Sequence, residues 1–337
     1  MPTSRASSAD RGPVWLGMLV LYVVWGSTYL GIALAVESIP PFVMAAIRFV
    51  IAGLVLLGWS IAREGRAFVP PTAREWRDSA IVGALLLGGG MGLVAWGEQT
   101  IPSGIAALLI ALMPVWVALL GRVFLGQRLP GLAVAGIVIG FVGVGILVGP
   151  TLVGSAGALD PLGVLALLIS PIAWSSGSLF ASHRAVLPRR PLVATGAQML
   201  MGGVVLVAMA SVTGEFARFD PTAVTASSVW ALAYLTVIGS LLAFTTYGWL
   251  LRVAPLTLVA TYAYVNPVVA VILGAIVLAE PIDPRTIVAG AVIVTAVALI
   301  VTARGRLGRP RATSPVTPPR ARSAPPGEPA PSRSASG

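Results

Sequence analysis

Long apolar segments, separated by short polar ones, recur along the whole chain. Ten of them approach or exceed the length of about 20 residues that an α-helix needs to cross the hydrocarbon core of a bilayer. They lie at residues 14–36, 40–62, 79–97, 102–125, 130–149, 161–182, 192–213, 229–251, 255–279 and 284–303. The strands of a membrane barrel would be about half as long and would alternate apolar and polar positions, and these segments do neither. The pattern predicts an all-α integral membrane protein with ten transmembrane helices.

Composition agrees with this class and excludes several functions. Of the 337 residues, 57% are apolar and only 10% are charged, whereas about a quarter of a soluble domain is charged. The chain has no cysteine, which excludes disulfides and thiolate metal sites. It also has no lysine, which excludes a P-loop lysine and a Schiff base to pyridoxal phosphate or retinal. A single histidine, His183, cannot build a zinc site. We therefore expect no metal and no cofactor.

The arginines are distributed very unevenly between the polar segments. If the N-terminus is cytoplasmic, nineteen arginines fall on the cytoplasmic side and two, Arg218 and Arg285, on the outer side. Basic residues that flank short loops set the orientation of membrane helices. We therefore predict that both termini are cytoplasmic. The net charge of +10 then records topology and does not indicate a nucleic-acid partner. Residues 1–13 lack the apolar stretch of a signal peptide, so the first helix is expected to be retained.

The two halves of the chain repeat each other weakly. WGSTYL at 25–30 aligns with WSSGSL at 174–179, and the spacing from Pro102 to Pro114 equals that from Pro255 to Pro267. Each half has five spans, an odd number, so the two copies must lie in opposite orientations across the membrane. Inverted repeats are typical of secondary transporters, whose substrate site lies near the midplane. The predicted organisation is a cytoplasmic segment 1–13, a first repeat 14–149, a second repeat 161–303, and a disordered tail 304–337 rich in proline and arginine.

The ninth span contains an unusual polar group. Tyr262 and Asn266 are four residues apart and share a helix face, Tyr264 points elsewhere, and Pro267 follows directly. A proline frees a carbonyl and opens a kink that polar side chains or water must satisfy. Pro114 holds the equivalent position in the fourth span. We expect both helices to be interrupted at these prolines and the polar residues to line a substrate cavity. The alternative is that Asn266 only binds a neighbouring helix and relieves the kink.

Three stretches of the chain together carry a resemblance to a known family. VVWGSTYLGIALAVESIPPFVMAAIRF (23–49), GEQTIPSGIAALLIALMPVW (97–116) and ATYAYVNPVVAVILG (260–274) resemble the EamA family of the drug/metabolite transporter superfamily. The resemblance covers nearly all of residues 14–303, in both halves. It implies a ten-helix, inverted-repeat carrier of a bacterial inner membrane that moves amino acids, other metabolites or toxic compounds. It also implies a central cavity lined chiefly by the first, third, fourth, sixth, eighth and ninth helices.

Aromatic and hydroxyl side chains in both halves extend the candidate cavity. Such side chains could hold an amphipathic solute of little net charge, although small residues and serines also serve close helix packing. The serines remain open between these two roles, and Trp25 and Tyr29 favour the cavity. The full set of candidate cavity residues is Trp25, Ser27, Thr28, Tyr29, Met113, Pro114, Trp174, Ser178, Tyr262, Asn266 and Pro267.

Charged residues near the spans raise the questions of anchoring, gating and coupling. Arg48 is the one basic residue deep in a span, where an unpaired charge is unfavourable. We expect it to reach outward to Glu98 as a structural anchor and not as a substrate ligand.

Glu280 is a candidate gate, because the resemblance places an acid there; Gln127 replaces that acid in the first half. All acids lie at or beyond helix ends, so uniport is at least as well supported as proton antiport.

These observations predict a secondary transporter that exports small metabolites, such as amino acids or amphipathic compounds, by alternating access. The partners are a small-molecule substrate and the lipid bilayer. No catalytic site is visible, because His183 lies at the wrong depth to pair with intramembrane serines and the aspartates lie in loops. The alternative is a membrane sensor or assembly subunit without transport activity. A homodimer stays open, because GxxxG spacings can join two copies or pack helices within one; they occur at Gly88/Gly92, Gly136/Gly140 and Gly145/Gly149.

Overall fold

The structure, a computed structural model, describes residues 8–152, 159–254, 256–259 and 261–307, and within them it contains helices and no strands. The helices form ten spans. These are Ser8–Val36 (span 1), Pro41–Glu64 (span 2), Ala73–Gly97 (span 3), Ser103–Leu125 (span 4), Gly131–Leu152 (span 5), Pro161–His183 (span 6), Pro191–Val212 (span 7), 226–253 (span 8), Leu256–Val259 with Tyr262–Val277 (span 9), and Pro284–Leu307 (span 10).

Nine of these spans, within the described part of the chain, are long and apolar enough to cross a membrane by themselves. Span 9 is the exception, because its main helix, Tyr262–Val277, is shorter. The order and number of the helices confirm the predicted all-α fold of two five-helix halves. Span 1 begins six residues before the predicted 14, and span 10 ends at Leu307. The rest of the predicted tail, the first seven residues and Pro255 lie outside the described residues.

Local sequence signals explain where several spans begin and end. Proline occupies the first turn of spans 2, 6 and 7, where its missing N–H would have no helical partner anyway. Span 3 begins with a capping box, in which Thr72 and Glu75 each accept a hydrogen bond from the other's backbone N–H. This box starts the helix before the apolar stretch predicted at 79. Span 4 ends at Gly126, whose φ of +64° is a left-handed conformation that favours glycine.

Spans 3 and 8 each contain a wide turn of π-helix that hydropathy does not reveal. The wide turns cover Ala84–Gly92 and Leu235–Leu242, and α-helix continues on both sides of each. The two spans hold equivalent places in the two halves, so the irregularity is itself repeated. A π-helical stretch leaves some backbone carbonyls without their usual donor, and such stretches occur frequently at functional sites. Here both wide turns lie beside the centre of the bundle.

Glycines let equivalent spans of the two halves approach closely. Span 2 packs on span 7, where a Cβ on Gly53 would lie 2.6 Å from the backbone N of Leu200. Span 5 packs on span 10, where a Cβ on Gly136 would lie 2.8 Å from the carbonyl O of Ala296. At these contacts only a hydrogen atom fits between the two backbones, so glycine lets the spans of the two halves pack closely.

The GxxxG spacings are mostly used inside the chain. Gly88 and Gly92 face side chains of span 7, and Gly136 and Gly140 face spans 10 and 4. Gly145 and Gly149 differ, because a Cβ on either would meet nothing within 4 Å. This last pair is therefore the one of the three spacings that is free to contact a second copy of the chain.

Candidate functional site

A small cavity lies between the two halves, near the middle of the spans. Its volume is about 100 Å³. Spans 1, 3, 4, 6, 8 and 9 contribute to its wall, as the family resemblance implies, and span 2 adds Arg48. The lining residues are Trp25, Thr28, Tyr29, Ile32, Arg48, Met91, Val94, Ile110, Met113, Ser170, Pro171, Trp174, Phe244, Tyr262 and Asn266.

Seven of the eleven candidate cavity residues lie in this wall: Trp25, Thr28, Tyr29, Met113, Trp174, Tyr262 and Asn266. The other four are close but make different contacts. Ser27 shares a hydrogen bond of 2.6 Å with the hydroxyl of Tyr234, and Ser178 donates to the carbonyl of Trp174 in its own helix. Pro114 and Pro267 are built into helices beside the cavity. The hydroxyls of Ser27 and Ser178 therefore serve helix contacts, which is one of the two roles left open for the serines.

Four aromatic rings form a cluster on one side of the cavity. Trp25 of span 1 is at its centre, with ring centroids 5.5 Å from Phe244, 5.1 Å from Tyr247 and 4.9 Å from Tyr262. Most of these pairs meet edge to face, the arrangement that the ring quadrupoles favour. Phe244 and Tyr247 were not among the candidates, although two aromatic residues in the middle of an apolar span could have identified them. The cluster gives the cavity a rigid apolar wall joining both halves.

Arg48 lies against the same cavity, and its partner differs from the expectation. Its Nε donates to Ser240 Oγ at 2.8 Å, and its guanidinium lies 4.8 Å from the ring centroid of Phe49. No ion pair joins it to Glu98 among the described residues. The pairing predicted from sequence is therefore wrong. The physical reason is the wide turn of span 8, which contains Ser240 and brings a hydroxyl to Arg48 inside the bundle.

The fourth span is interrupted beside the cavity, as predicted. Its first helix ends at Ile110 and its second begins at Met113, so Pro114 lies in a first turn and removes no helical hydrogen bond. Ser175 of span 6 donates to the carbonyl of Met113 at 3.2 Å, and Ser170 donates to the carbonyl of Gly90 in the wide turn of span 3. Hydroxyls of span 6 thus bind the backbone of both irregular segments, in spans 3 and 4.

The ninth span is interrupted at a different place from the one predicted. Its main helix starts at Tyr262 and continues through Pro267 to Val277. Because the helix begins only a few residues before Pro267, the proline removes one early hydrogen bond and does not break the helix. The described backbone that departs from the helix is instead the turn at Thr261, whose hydroxyl bonds the hydroxyl of Tyr22. Asn266 is 8% exposed, and its buried Oδ1 has no hydrogen-bond partner among the residues that the structure describes.

A larger vestibule opens at one end of the bundle, with a volume of about 610 Å³. Spans 1, 3 and 9 finish at this end, which we call the arginine-poor end because the polar segments there contain few arginines. Its wall shares no residue with that of the central cavity, and its polar part contains Glu37, Gln99, Thr100, Asp160, Glu215, Arg218 and Asp220. The vestibule is assembled from loops, so no periodic pattern in the sequence indicated it.

Glu280 holds two backbone amides at the arginine-poor end. Its two carboxylate oxygens accept hydrogen bonds from Ser103 N at 2.7 Å and Gly104 N at 3.1 Å, at the N-terminus of span 4. A carboxylate is favourable at this position because the first N–H groups of a helix lack internal partners. Gln127, the equivalent residue at the opposite end, is exposed. The two ends of the bundle are therefore joined unequally, and the assignment of Glu280 as a gate stays a prediction.

Glu215 makes a similar contact that the sequence did not indicate. Gly214, with a φ of +70°, turns the chain after span 7, and the Glu215 carboxylate then accepts from Phe42 N at 2.9 Å and Val43 N at 3.0 Å. Burial raises the pKa of this carboxyl, and the two N–H donors oppose the rise. Within the described residues, no three side chains converge as metal ligands. The two hydrogen bonds make Glu215 a clamp between spans 7 and 2.

We expect Glu215→Ala to lower the stability of the protein by about 1–3 kcal/mol, because it leaves two buried amide donors without an acceptor. Thermal unfolding of the detergent-solubilised protein measures this. Glu37→Ala is the matched control, since Glu37 is an exposed acid of the same vestibule. Equal unfolding temperatures for the two variants would contradict the assigned clamp.

Comparisons with known proteins agree with this architecture. The model of the EamA-like transporter family matches residues 13–149 and 161–302, one match in each half. The uncharacterized inner membrane transporter YedA of Escherichia coli (strain K12) is 38% identical over 291 residues, which are 86% of this chain and 90% of the relative. The probable terminal-alkyne amino-acid exporter of Streptantibioticus cattleyicolor is 29% identical over 305 residues, which are 89% and 96% of the two chains.

A solved crystal structure has the same fold. It superposes with a TM-score of 0.58 at 22% sequence identity, and the match covers 88% of this chain and 99% of the solved chain. At this identity the likeness concerns the fold alone. The two family matches, the relatives and the ten apolar helices lead to one conclusion. The chain belongs to the EamA-like transporter family and is a multi-pass transporter of the inner membrane.

Proposed function

We propose that the protein is a secondary carrier that exports small amino-acid-like metabolites by alternating access. The observation that carries this proposal is the central cavity, in which one cationic side chain, one unpartnered amide oxygen and an aromatic cluster share a wall. Residues from both five-helix halves form that wall. A site between inverted repeats can open to either side in turn when the halves move against each other.

The polar groups of the cavity complement a zwitterion. The Arg48 guanidinium carries several N–H donors in a planar fork that suits a carboxylate. The unpartnered Oδ1 of Asn266 is an acceptor that an ammonium group can satisfy. Between them, the rings of Trp25 and Tyr262 offer apolar contact and cation–π attraction. Arg48 then binds solute in addition to joining spans 2 and 8.

The small volume of the cavity supports a site whose walls move apart to admit solute. Its roughly 100 Å³ is several times smaller than the roughly 300–1,000 Å³ of an ordinary small-molecule site. Solute entry therefore requires the walls to separate, and the contacts at the two bundle ends are the places where separation begins. At the opposite end of the bundle, Arg190, directly before span 7, bonds Glu64 of span 2; at the arginine-poor end, Glu215 bonds the backbone of span 2.

The relatives support the direction and the substrate class. One is named as an inner membrane transporter and another as an exporter of an amino acid. We further propose that both termini face the cytoplasm, since nineteen of the 22 arginines then lie on that side. No cofactor or catalytic step is part of the mechanism. Should two copies associate, Gly145 and Gly149 of span 5 are the proposed contact, because their faces are open.

Solute flux into proteoliposomes tests the proposal. We would follow radiolabelled L-leucine, L-threonine and isoamylamine, which is leucine without its carboxylate. Tyr262→Ala and Asn266→Ala are expected to lower amino-acid flux about 5- to 150-fold, because each removes a contact of the cavity wall worth about 1–3 kcal/mol. Tyr264→Ala is the matched control, since Tyr264 lies on the same helix outside the cavity lining.

The alternative is a membrane sensor or assembly subunit without transport. Folded wild-type protein that moves none of the three probes would contradict the amino-acid proposal and favour this alternative. If flux is present and all three variants retain it, the protein is a carrier but its site is not at this cavity.

A further inference from the structure

Glu98 is a buried acid at the boundary between the two cavities. It follows the last residue of span 3, and it is only 6% exposed. Its neighbours Trp96 and Gln99 line the vestibule, whereas Val94, one turn earlier, lines the central cavity. Both carboxyl oxygens are buried without a hydrogen-bond partner; the backbone of Ala33 approaches them without completing a bond of ordinary geometry. Among the described residues the carboxyl therefore has no donor at ordinary hydrogen-bond geometry.

The surroundings of Glu98 disfavour a negative charge. Burial removes the water that would stabilise a carboxylate. The residue sits at the C-terminal end of a helix, where the free carbonyls present the negative end of the helix dipole. The ionisable groups that act on it from other elements are Tyr29 of span 1 and Glu280 after span 9, and neither is cationic. Arg48, the buried cation of the central cavity, is bonded to Ser240 instead.

We propose that Glu98 is a proton-binding site, loaded while the arginine-poor end is closed and emptied when that end opens. In the closed form the residue is a neutral carboxylic acid. When spans 1, 3 and 9 separate, water of the vestibule reaches the carboxyl, its O–H bond breaks, and the proton passes to that water, leaving a solvated carboxylate. Opening therefore releases one proton per chain, and alkaline conditions at this end favour the open form.

This inference rests on the transport function proposed above, because it assigns that same carrier a proton-dependent step. It gives the chain a titratable group within the barrier between vestibule and central cavity. From the sequence, Glu98 was expected to pair with Arg48, which bonds Ser240 instead. Its burial and its lack of partners make it different from Glu37, which is exposed on the same vestibule.

Infrared difference spectroscopy of the reconstituted full-length protein tests the proposal directly. Wild type is expected to show a carboxylic-acid C=O band at neutral pH that disappears on alkaline titration. Glu98→Gln should remove this band, and Glu37→Gln should retain it. Glu98→Asp, which keeps a carboxyl at the site, should also show a band. An unchanged neutral-pH spectrum in folded Glu98→Gln protein would overturn the proposal.

Exchange of radiolabelled L-leucine across the proteoliposome membrane supplies the second readout. With equal leucine on both sides, wild-type exchange should slow several-fold as the pH at the arginine-poor face is lowered. Glu98→Gln should exchange leucine at a rate independent of pH. Wild-type exchange that is equally insensitive to pH would contradict the coupled opening. A wild type that moves no leucine at all would contradict the transport proposal instead, and the infrared band would still decide the state of Glu98.

Discussion

Arg48→Met is expected to lower L-leucine flux about 10- to 150-fold while leaving the protein folded. A hydrogen bond to a charged group contributes about 1.5–3 kcal/mol, which corresponds to that range of affinity. Arg48 lies in the wall of the central cavity and keeps only a neutral partner, Ser240. Methionine fills a similar volume without the charge, and replacing a buried charge by an apolar side chain is often neutral or stabilising. Proteoliposome flux measures the loss of transport, and thermal unfolding measures whether the variant stays folded.

Two controls separate solute binding from anchoring. Ser240→Ala removes the hydrogen-bond partner of Arg48 but keeps the cation, so it should cost about 1 kcal/mol of stability and retain most of the flux. Isoamylamine, without a carboxylate, should compete with leucine equally well in wild type and in Arg48→Met. A purely structural role predicts the reverse for Arg48→Met: a lowered unfolding temperature with normal flux per folded molecule.

Gly53→Ala is expected to destabilise the protein by about 3 kcal/mol or more, a large effect for one added methyl group. The new Cβ would lie 2.6 Å from the backbone N of Leu200 and 2.9 Å from the carbonyl O of Gly196. Both are backbone atoms of span 7 and cannot rotate away, so spans 2 and 7 must separate. Overpacking of this kind typically costs about 1–3 kcal/mol even where flexible side chains can yield. The unfolding temperature in detergent is the measurement.

Gly58→Ala is the matched control for this helix. Gly58 also belongs to span 2 but has nothing within 4 Å of an added Cβ. Alanine forms helices better than glycine by about 0.8–1 kcal/mol, so this variant should be as stable as wild type or more stable. If Gly53→Ala and Gly58→Ala unfold at the same temperature, the close approach of spans 2 and 7 is wrong.

Much of the fold could be predicted because a bilayer restricts what a chain can do. Each crossing needs about 20 apolar residues in helical conformation, and this requirement alone located the ten spans. The clustering of tyrosine, asparagine and tryptophan in apolar segments then pointed to Tyr262, Asn266 and Trp25, which do share one cavity wall. Polar or aromatic side chains in such segments are informative, because lipid gives them no other reason to be there.

Other features could not be predicted, since they depend on contacts between distant segments. The wide turns of spans 3 and 8 leave hydropathy unchanged, so nothing in the apolar pattern marked Ala84–Gly92 or Leu235–Leu242. The partner of Arg48 is a serine 192 residues away in one of those turns. The interruption of span 9 precedes Tyr262 and not Pro267, because a proline near a helix start removes little hydrogen bonding.

The paired wide turns also bear on the ancestry of the chain. Both lie at equivalent points of the two halves, yet their sequences, ALLLGGGMG and LTVIGSLL, have little in common. One extra residue in a single five-helix ancestor, inherited by both copies when its gene duplicated, accounts for the pair with one event; independent insertions require two. The backbone conformation has then outlasted the identity of the side chains.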